Sequence, residues 1–173
     1  MGRPMKIDKS SRHQKIIGCF GEHAICNWLS RSGYEVTIVD HTGIDIIAYN
    51  PKNKTRLGIT VKSRTRKKGK ETQDVTVLSY RKKQNDRKKL RDACKAFGCE
   101  RWIGVYVETT DSADIFLTSL ENYDDKYRRG AGKSTDSWKM TDKAKRSYDE
   151  DPNVMHVRMK FETIQWWDQT SQT

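Results

Sequence analysis

Two alternating apolar runs, "GIDIIAYN" and "RLGITVKSR", flank the turn-forming "PKNK". Strand-period runs separated by so short a turn specify an antiparallel hairpin. On the second strand Leu57, Ile59 and Val61 point one way, while Thr60, Lys62 and Arg64 point the other, because successive side chains alternate faces. Two charges interrupt the pattern: Asp45 lies between Ile44 and Ile46, and Lys62 directly follows Val61. A charge among residues that read as buried strand needs a partner to neutralise it.

The elements around the hairpin follow from periodicity and punctuation. Ser10 or Ser11 can cap a helix whose apolar positions Ile16, Ile17, Phe20, Ala24, Ile25, Trp28 and Leu29 recur at helical spacing, ending near Gly33. "YEVTIV" reads as a strand preceding the hairpin. From about Ser79 to Phe97, Leu90, Ala93 and Phe97 form the apolar stripe of a strongly basic helix that closes at Gly98. "RWIGVYVE" and "ADIFLTSL" read as strands, "RRGAGKSTDS" as a polar stretch, "TDKAKRSY" as a short helix and "NVMHVRMKF" as a late strand. The order αβββαβ with C-terminal additions predicts an α/β fold, a central mixed sheet flanked by helices. A chain of 173 residues suits one domain, with a core over about 12–118 and an elaboration over about 119–173.

Several functions find no support. No run of about 18 apolar residues exists, and the first residues lack an apolar signal region, so the expectation is a cytoplasmic protein without a membrane span. Cys19, Cys26, Cys94 and Cys99 match no zinc or disulfide framework and read as buried reduced thiols. His13, His23, His41 and His156 form no Ser/His/Asp grouping. "GAGKS" lacks the full spacing of a phosphate loop and a preceding buried strand. Most of the five tryptophans read as core or interface, with Trp166 and Trp167 suited to docking on the body or to a subunit contact.

Charge points to a polyanion. Thirty-four Lys and Arg against 23 Asp and Glu give a formal net charge of +11, which favours phosphate backbones through counterion release. No RNP-like aromatic pattern accompanies it, so DNA is the expected partner. Two basic runs stand out: Lys62, Arg64, Arg66, Lys67, Lys68 and Lys70 in "VKSRTRKKGK", and Arg81, Lys82, Lys83, Arg87, Lys88, Lys89 and Arg91 on the basic helix. Such contacts position DNA without reading bases.

Glu22 falls on the inward row of the first helix, between Gly18, Ile25 and Leu29. A helix acid, a strand acid and a strand amine thus have the means to converge. Two neighbouring carboxylates attract a hard divalent cation such as Mg²⁺ or Mn²⁺, and an adjacent ammonium can orient a water or face the charge that develops on a phosphoryl group.

Gly21-Glu22 in the helix, Asp45 in "GIDIIAY" and "ITVKSR" across a turn resemble the PD-(D/E)XK nuclease superfamily, and within it the archaeal-type Holliday junction resolvases. The likeness spans about residues 12 to 108. It implies a restriction-endonuclease-like core, Mg²⁺-dependent DNA cleavage and a homodimer. By position it makes Glu22, Asp45 and the carbonyl of Val61 metal ligands, and Lys62 the catalytic lysine. One position departs from the pattern: Thr60 stands where the family carries an acid. A hydroxyl removes one negative charge from the cation site, which an acid from "KETQD", Glu71 or Asp74, would restore. Two functions follow, a metal-dependent DNA endonuclease acting on branched DNA, or a catalytically silent DNA-binding relative.

Overall fold

The computed structural model describes residues 7–81, 84–129 and 134–162. Trp166, Trp167, Lys82, Lys83 and most of "GAGKS" lie outside the described residues. The predicted hairpin is present as β2 (Ile44–Tyr49) and β3 (Arg56–Thr65), paired antiparallel from Tyr49↔Arg56 to Ile46↔Ile59. The preceding strand, β1 (Glu35–His41), pairs antiparallel with β2. On its other side β3 runs parallel to β5 (Glu100–Glu108) from Leu57↔Glu100 to Thr65↔Glu108. Antiparallel β6 (Ser112–Ser119) and β8 (Val154–Lys160) complete a six-stranded mixed sheet in the order β1-β2-β3-β5-β6-β8. A parallel neighbour requires a crossover, and the segment between β3 and β5 supplies it as β4 (Val75–Ser79) and α2 (Asp86–Phe97).

Both faces of the sheet are buried. Helix α1 (His13–Arg31) covers one face, where Ile17, Ile25 and Leu29 meet Ile46, Ile59, Val61 and Tyr106. The opposite face packs Ile103, Val105, Val107 and Phe116 against α2, β4, α3 (Leu120–Lys126), β7 (Thr135–Trp138) and α4 (Asp142–Asp149). Strands β4 and β7 form a separate two-stranded sheet. Trp138, fully buried, stacks among Phe116, Tyr123, Tyr127 and Tyr148. Among the described residues no helix is long and apolar enough to cross a membrane.

The structure corrects several local expectations. Neither Ser10 nor Ser11 caps α1; Arg12 holds the N-cap position without a side-chain bond, and the Ser10 carbonyl accepts the His13 N–H at 3.1 Å. Ile16 and Phe20 are 60% and 53% exposed, because the inward row is Ile17, Gly21, Ile25 and Leu29. Helix α2 starts at Asp86, capped by the Asn85 side chain, which accepts the Lys88 N–H. Of the residues assigned to its first turns, Ser79 closes β4, and Tyr80 and Arg81 follow it outside the helix. Its end is as expected: Gly98 is left-handed (φ 62°), and Cys99 N–H donates to Cys94 O at 2.8 Å. Of the four cysteines, all free, only Cys94 is buried; Cys19 lies on the solvent side of α1. Helix α3 and strand β7 lie where the sequence reads as strand end and polar stretch.

Three buried acids hold the C-terminal half to the sheet. Asp136 pairs with Arg87 and Arg128, Asp151 with Lys126, and Asp114 with Lys145 and His156. His156 on β8 stacks on Phe116 and bonds both Asp114 of β6 and Asp149 of α4. Burial lowers the His156 pKa, but the two carboxylates outweigh it and hold the imidazole above its ordinary value. A histidine raised in the folded state contributes stability that is full below the unfolded value of about 6.5 and fades as pH rises through the folded value. The Tm difference between the native protein and His156→Gln is therefore expected to be largest near about pH 6 and to shrink toward about pH 8.5, as read by thermal melts across that range.

Candidate active site and basic interface

The ladder between β2 and β3 stops at Ile46↔Ile59, while β3 continues along β5 to Thr65. Beyond that pair the two strands part, and Asp45 fills the fork. Val61 N–H donates to Asp45 Oδ2 at 2.6 Å, and the Thr60 hydroxyl donates to the same oxygen at 3.3 Å. A side-chain carboxylate thus stands in for the carbonyl that a longer ladder would have supplied, and these two bonds use one of its two oxygens. An extended residue turns its N–H and C=O toward the same neighbour, so the Val61 carbonyl also faces the fork.

Helix α1 brings Glu22 to this point. A Cβ at Gly21 would overlap Ser63 Oγ and lie 2.9 Å from Tyr106 Cβ, so the missing side chain lets the helix approach β3 and β5 closely. Glu22, one residue further round, is half-buried at the edge of the inward row rather than within it. Its carboxyl pKa is pushed above the usual range, first by burial and then by Asp45; His23 opposes the shift, Asp40 adds to it and Lys62 opposes it. Asp45 and Lys62 of the predicted trio are thus both near enough to act on Glu22. Among the described residues no Lys or Arg forms an ion pair with Glu22 or Asp45, in contrast to the neutralised acids of the C-terminal half.

Asp40 is the member the sequence reading missed. The β1–β2 register is irregular between Ile38 and His41, with Ile38↔Ile46 on one side and His41↔Ile44 on the other. An irregularity of this kind re-aims side chains, and here it leaves Val39 and Asp40 facing the single residue Asp45, with Asp40 near enough to act on Glu22. The signal was present in "VDHTGID", a tight hairpin that brings the two acids to neighbouring strands, but only the register shows how near they come. Glu71 is partly exposed and Asp74 exposed, and neither is among the charges that act chiefly on Glu22. No group of three His, Cys, Asp or Glu side chains arranged to hold a metal occurs among the described residues.

The basic residues divide into two kinds. Arg87 turns inward: Nη1 and Nη2 each donate to Asp124 at 2.6 Å, Nη2 donates to Asp136 at 2.9 Å, and Nε donates to Tyr80 Oη at 2.6 Å. The Asp124 bonds, against the cost of burial, hold its pKa above the ordinary value. Its donors are committed to tying α2 to α3 and β7, so the expectation that Arg87 grips DNA is corrected: the polar face of α2 at this position meets protein. Arg66 donates to the carbonyls of Gln73 (3.3 Å) and Asp74 (2.8 Å), bracing the loop after β3. Arg64 and Lys62 are half-exposed, while Lys67 and Lys68 are exposed. On α2, Lys88 and Arg91 pair with Asp92.

No protein family and no curated protein sequence matches this chain. Among solved structures it is similar to Hjc, a Holliday junction resolvase from the archaeal hyperthermophile Archaeoglobus fulgidus, with 17% identity and a TM-score of 0.48 over 73% of this chain and 85% of that one. The chemistry of the site rests on its side chains.

Substituting Gly21 by Ala forces α1 away from Ser63 and Tyr106. Overpacking of this kind costs about 1–3 kcal/mol, or a Tm lower by roughly 2–4 °C for each kcal/mol in a protein of this size. Differential scanning calorimetry of Gly21→Ala against Gly18→Ala, where a Cβ meets nothing within 4 Å, checks it: only the first is expected to show that loss.

Proposed function

We propose that this protein is a metal-dependent DNA endonuclease. The observation that supports this is the gathering of Glu22 and Asp45, two acids with no ion-pair partner among the described residues, with Lys62 near enough to act on Glu22. Elsewhere in the molecule buried acids are neutralised by cations. A half-buried carboxylate whose proton affinity is raised by burial and by a neighbouring acid gains from a hard cation, and oxygen donors of this type suit Mg²⁺ or Mn²⁺. Glu22, Asp45 and the Val61 carbonyl would hold the ion, with Thr60 as an outer contact. Bound there, it would supply Lewis acidity toward a phosphoryl oxygen and make a water more acidic.

The chain's own groups perform the rest. Lys62, on the strand beside Asp45, orients the attacking water and faces the negative charge that develops on the phosphoryl oxygens during one-step hydrolysis. Arg64, Lys67 and Lys68 follow along the strand and its loop, where they hold backbone phosphates and fix the register of the DNA without reading its sequence. A branched, four-way substrate and a homodimer are carried by the motif order alone.

One observation favours a second function, a catalytically silent DNA-binding module. Thr60 sits where an acid would sharpen the cation site, and its hydroxyl donates to Asp45. Together with the Val61 N–H, that bond partly satisfies the carboxylate without an ion.

Incubation with supercoiled plasmid and with four-way junction DNA, in Mg²⁺, Mn²⁺ or chelator, separates the two. Metal-dependent nicking is expected, reduced by about 10²-fold or more in Asp45→Ala and in Lys62→Ala. Thr60→Glu is expected to tighten Mg²⁺ binding measured by calorimetry. Tight DNA binding without cleavage in any metal establishes the silent module instead.

A further inference from the structure

Lys9 lies outside both basic runs, yet the fold carries it to the end of β3. Its Nζ donates to the Thr65 carbonyl, and the charges that act on it are Lys67, Arg66, Glu108 and Arg64. Four cations therefore meet one acid. That acid is already engaged: Glu108 Oε1 accepts from Thr65 Oγ1 at 2.7 Å, and Oε2 accepts from Tyr106 O–H at 3.0 Å. His13 adds to the enclosure, with Nε2 2.7 Å from Thr65 Oγ1. Arg66 is held in place by the loop carbonyls, and its Nε is buried without a partner among the described residues. Burial, Lys67 and Arg66 all act to lower the Lys9 pKa, which means that the ammonium is held there at an electrostatic cost.

We infer that Lys9, Arg64 and Lys67 form a second anion subsite, one that takes a backbone phosphodiester of duplex DNA a short distance along the strand from the phosphate at Lys62. The inference rests on the DNA-cleaving function above and adds a residue from the N-terminal segment to it. The geometry is that of a track. Lys62 and Arg64 occupy alternate positions of β3, which sets them roughly 6–7 Å apart on one face at about 3.3 Å per residue. Lys9, bonded to the carbonyl of Thr65, and Lys67, two residues beyond it on the loop and near enough to act on Lys9, extend the basic groups past the end of the strand. Like charges brought together repel at this range, and a phosphodiester placed among them relieves that repulsion while releasing counterions. Lys9 remains solvent-exposed, so the subsite is open to a backbone arriving from outside.

The test is the salt dependence of binding. Fluorescence anisotropy with a labelled duplex, titrated at several salt concentrations, gives the slope of log K against log salt. Lys9→Gln keeps a donor for the Thr65 carbonyl and removes the charge; its slope is expected to be shallower by about 0.9, the loss of one phosphate contact. Lys9→Arg is expected to restore the native slope. Lys67→Gln, on the exposed loop, is expected to show the same change and carries the test if Lys9→Gln does not fold. Equal slopes in the native protein and both Gln variants overturn the subsite, as does weaker binding by Lys9→Gln with an unchanged slope, which marks a purely structural role. If the native protein binds no duplex at all, the DNA-cleaving function fails and the subsite with it; native binding with unaltered slopes removes the subsite alone.

Discussion

The bond from Val61 N–H to Asp45 Oδ2 is the constraint on which the arrangement of this site depends. A strand amide left without an acceptor where two strands separate is costly when buried. Asp45 supplies that acceptor from its side chain, so the carboxylate is fixed at the fork by backbone bonding rather than by a salt bridge. The fork itself arises because β3 has two neighbours of different length: β2 leaves it after Ile59, and β5 stays with it to Thr65. Where the ladder ends on one side and persists on the other, side chains of the middle strand gain access to space without the strand losing its support. Lys62 and Arg64 project from this supported segment.

Much of this was legible in the sequence because it depends on local pattern. The "PKNK" turn, the alternation from Leu57 to Arg64 and the interrupting Asp45 fix the hairpin and the position of the acid within a residue. Gly98 announces the end of α2 through its left-handed φ. The parts that escaped depend on long-range packing. Strand β4 has a short apolar run, "VTVLS", next to a basic segment whose helical spacing competes with it, and its partner β7 lies about 60 residues away in a polar stretch. Arg87 reads as one more exposed cation until Asp124 and Asp136, distant in sequence, are folded against it. The role of Asp40 depends on a register irregularity, which no periodicity encodes.

The distribution of charge separates structure from chemistry. Asp114, Asp136 and Asp151 are nearly fully buried, and each is matched by cations; for Asp151 burial opposes ionisation, but bonds from Tyr127 and Asn122 hold its pKa well below the usual range. These acids need nothing further. Glu22 is the opposite case: burial and a neighbouring acid raise its pKa, and no Lys or Arg among the described residues pairs with it. A fold optimised for stability alone would have set a cation beside Glu22 as it does for the others, and Lys62 is near enough for the field to be felt without forming an ion pair. Retained strain of this kind is characteristic of sites kept for a ligand.

In the cation site proposed above, position 60 decides how strongly a cation would be demanded. A carboxylate there would stand beside Asp45 with no donor of its own to offer, and two acids at the mouth of the fork would require a cation for the strands to keep their geometry. Threonine reverses the sign of the contact: its hydroxyl donates to Asp45, so the fork closes with or without an ion. The structural consequence is a site that folds independently of metal. In the cation site proposed above, affinity would rest on Glu22 and Asp45, with Asp40 adding negative charge near Glu22 from the edge strand. If the proposed site takes a cation, the stability of the fork and the cation affinity are set by the same residue and pull in opposite directions.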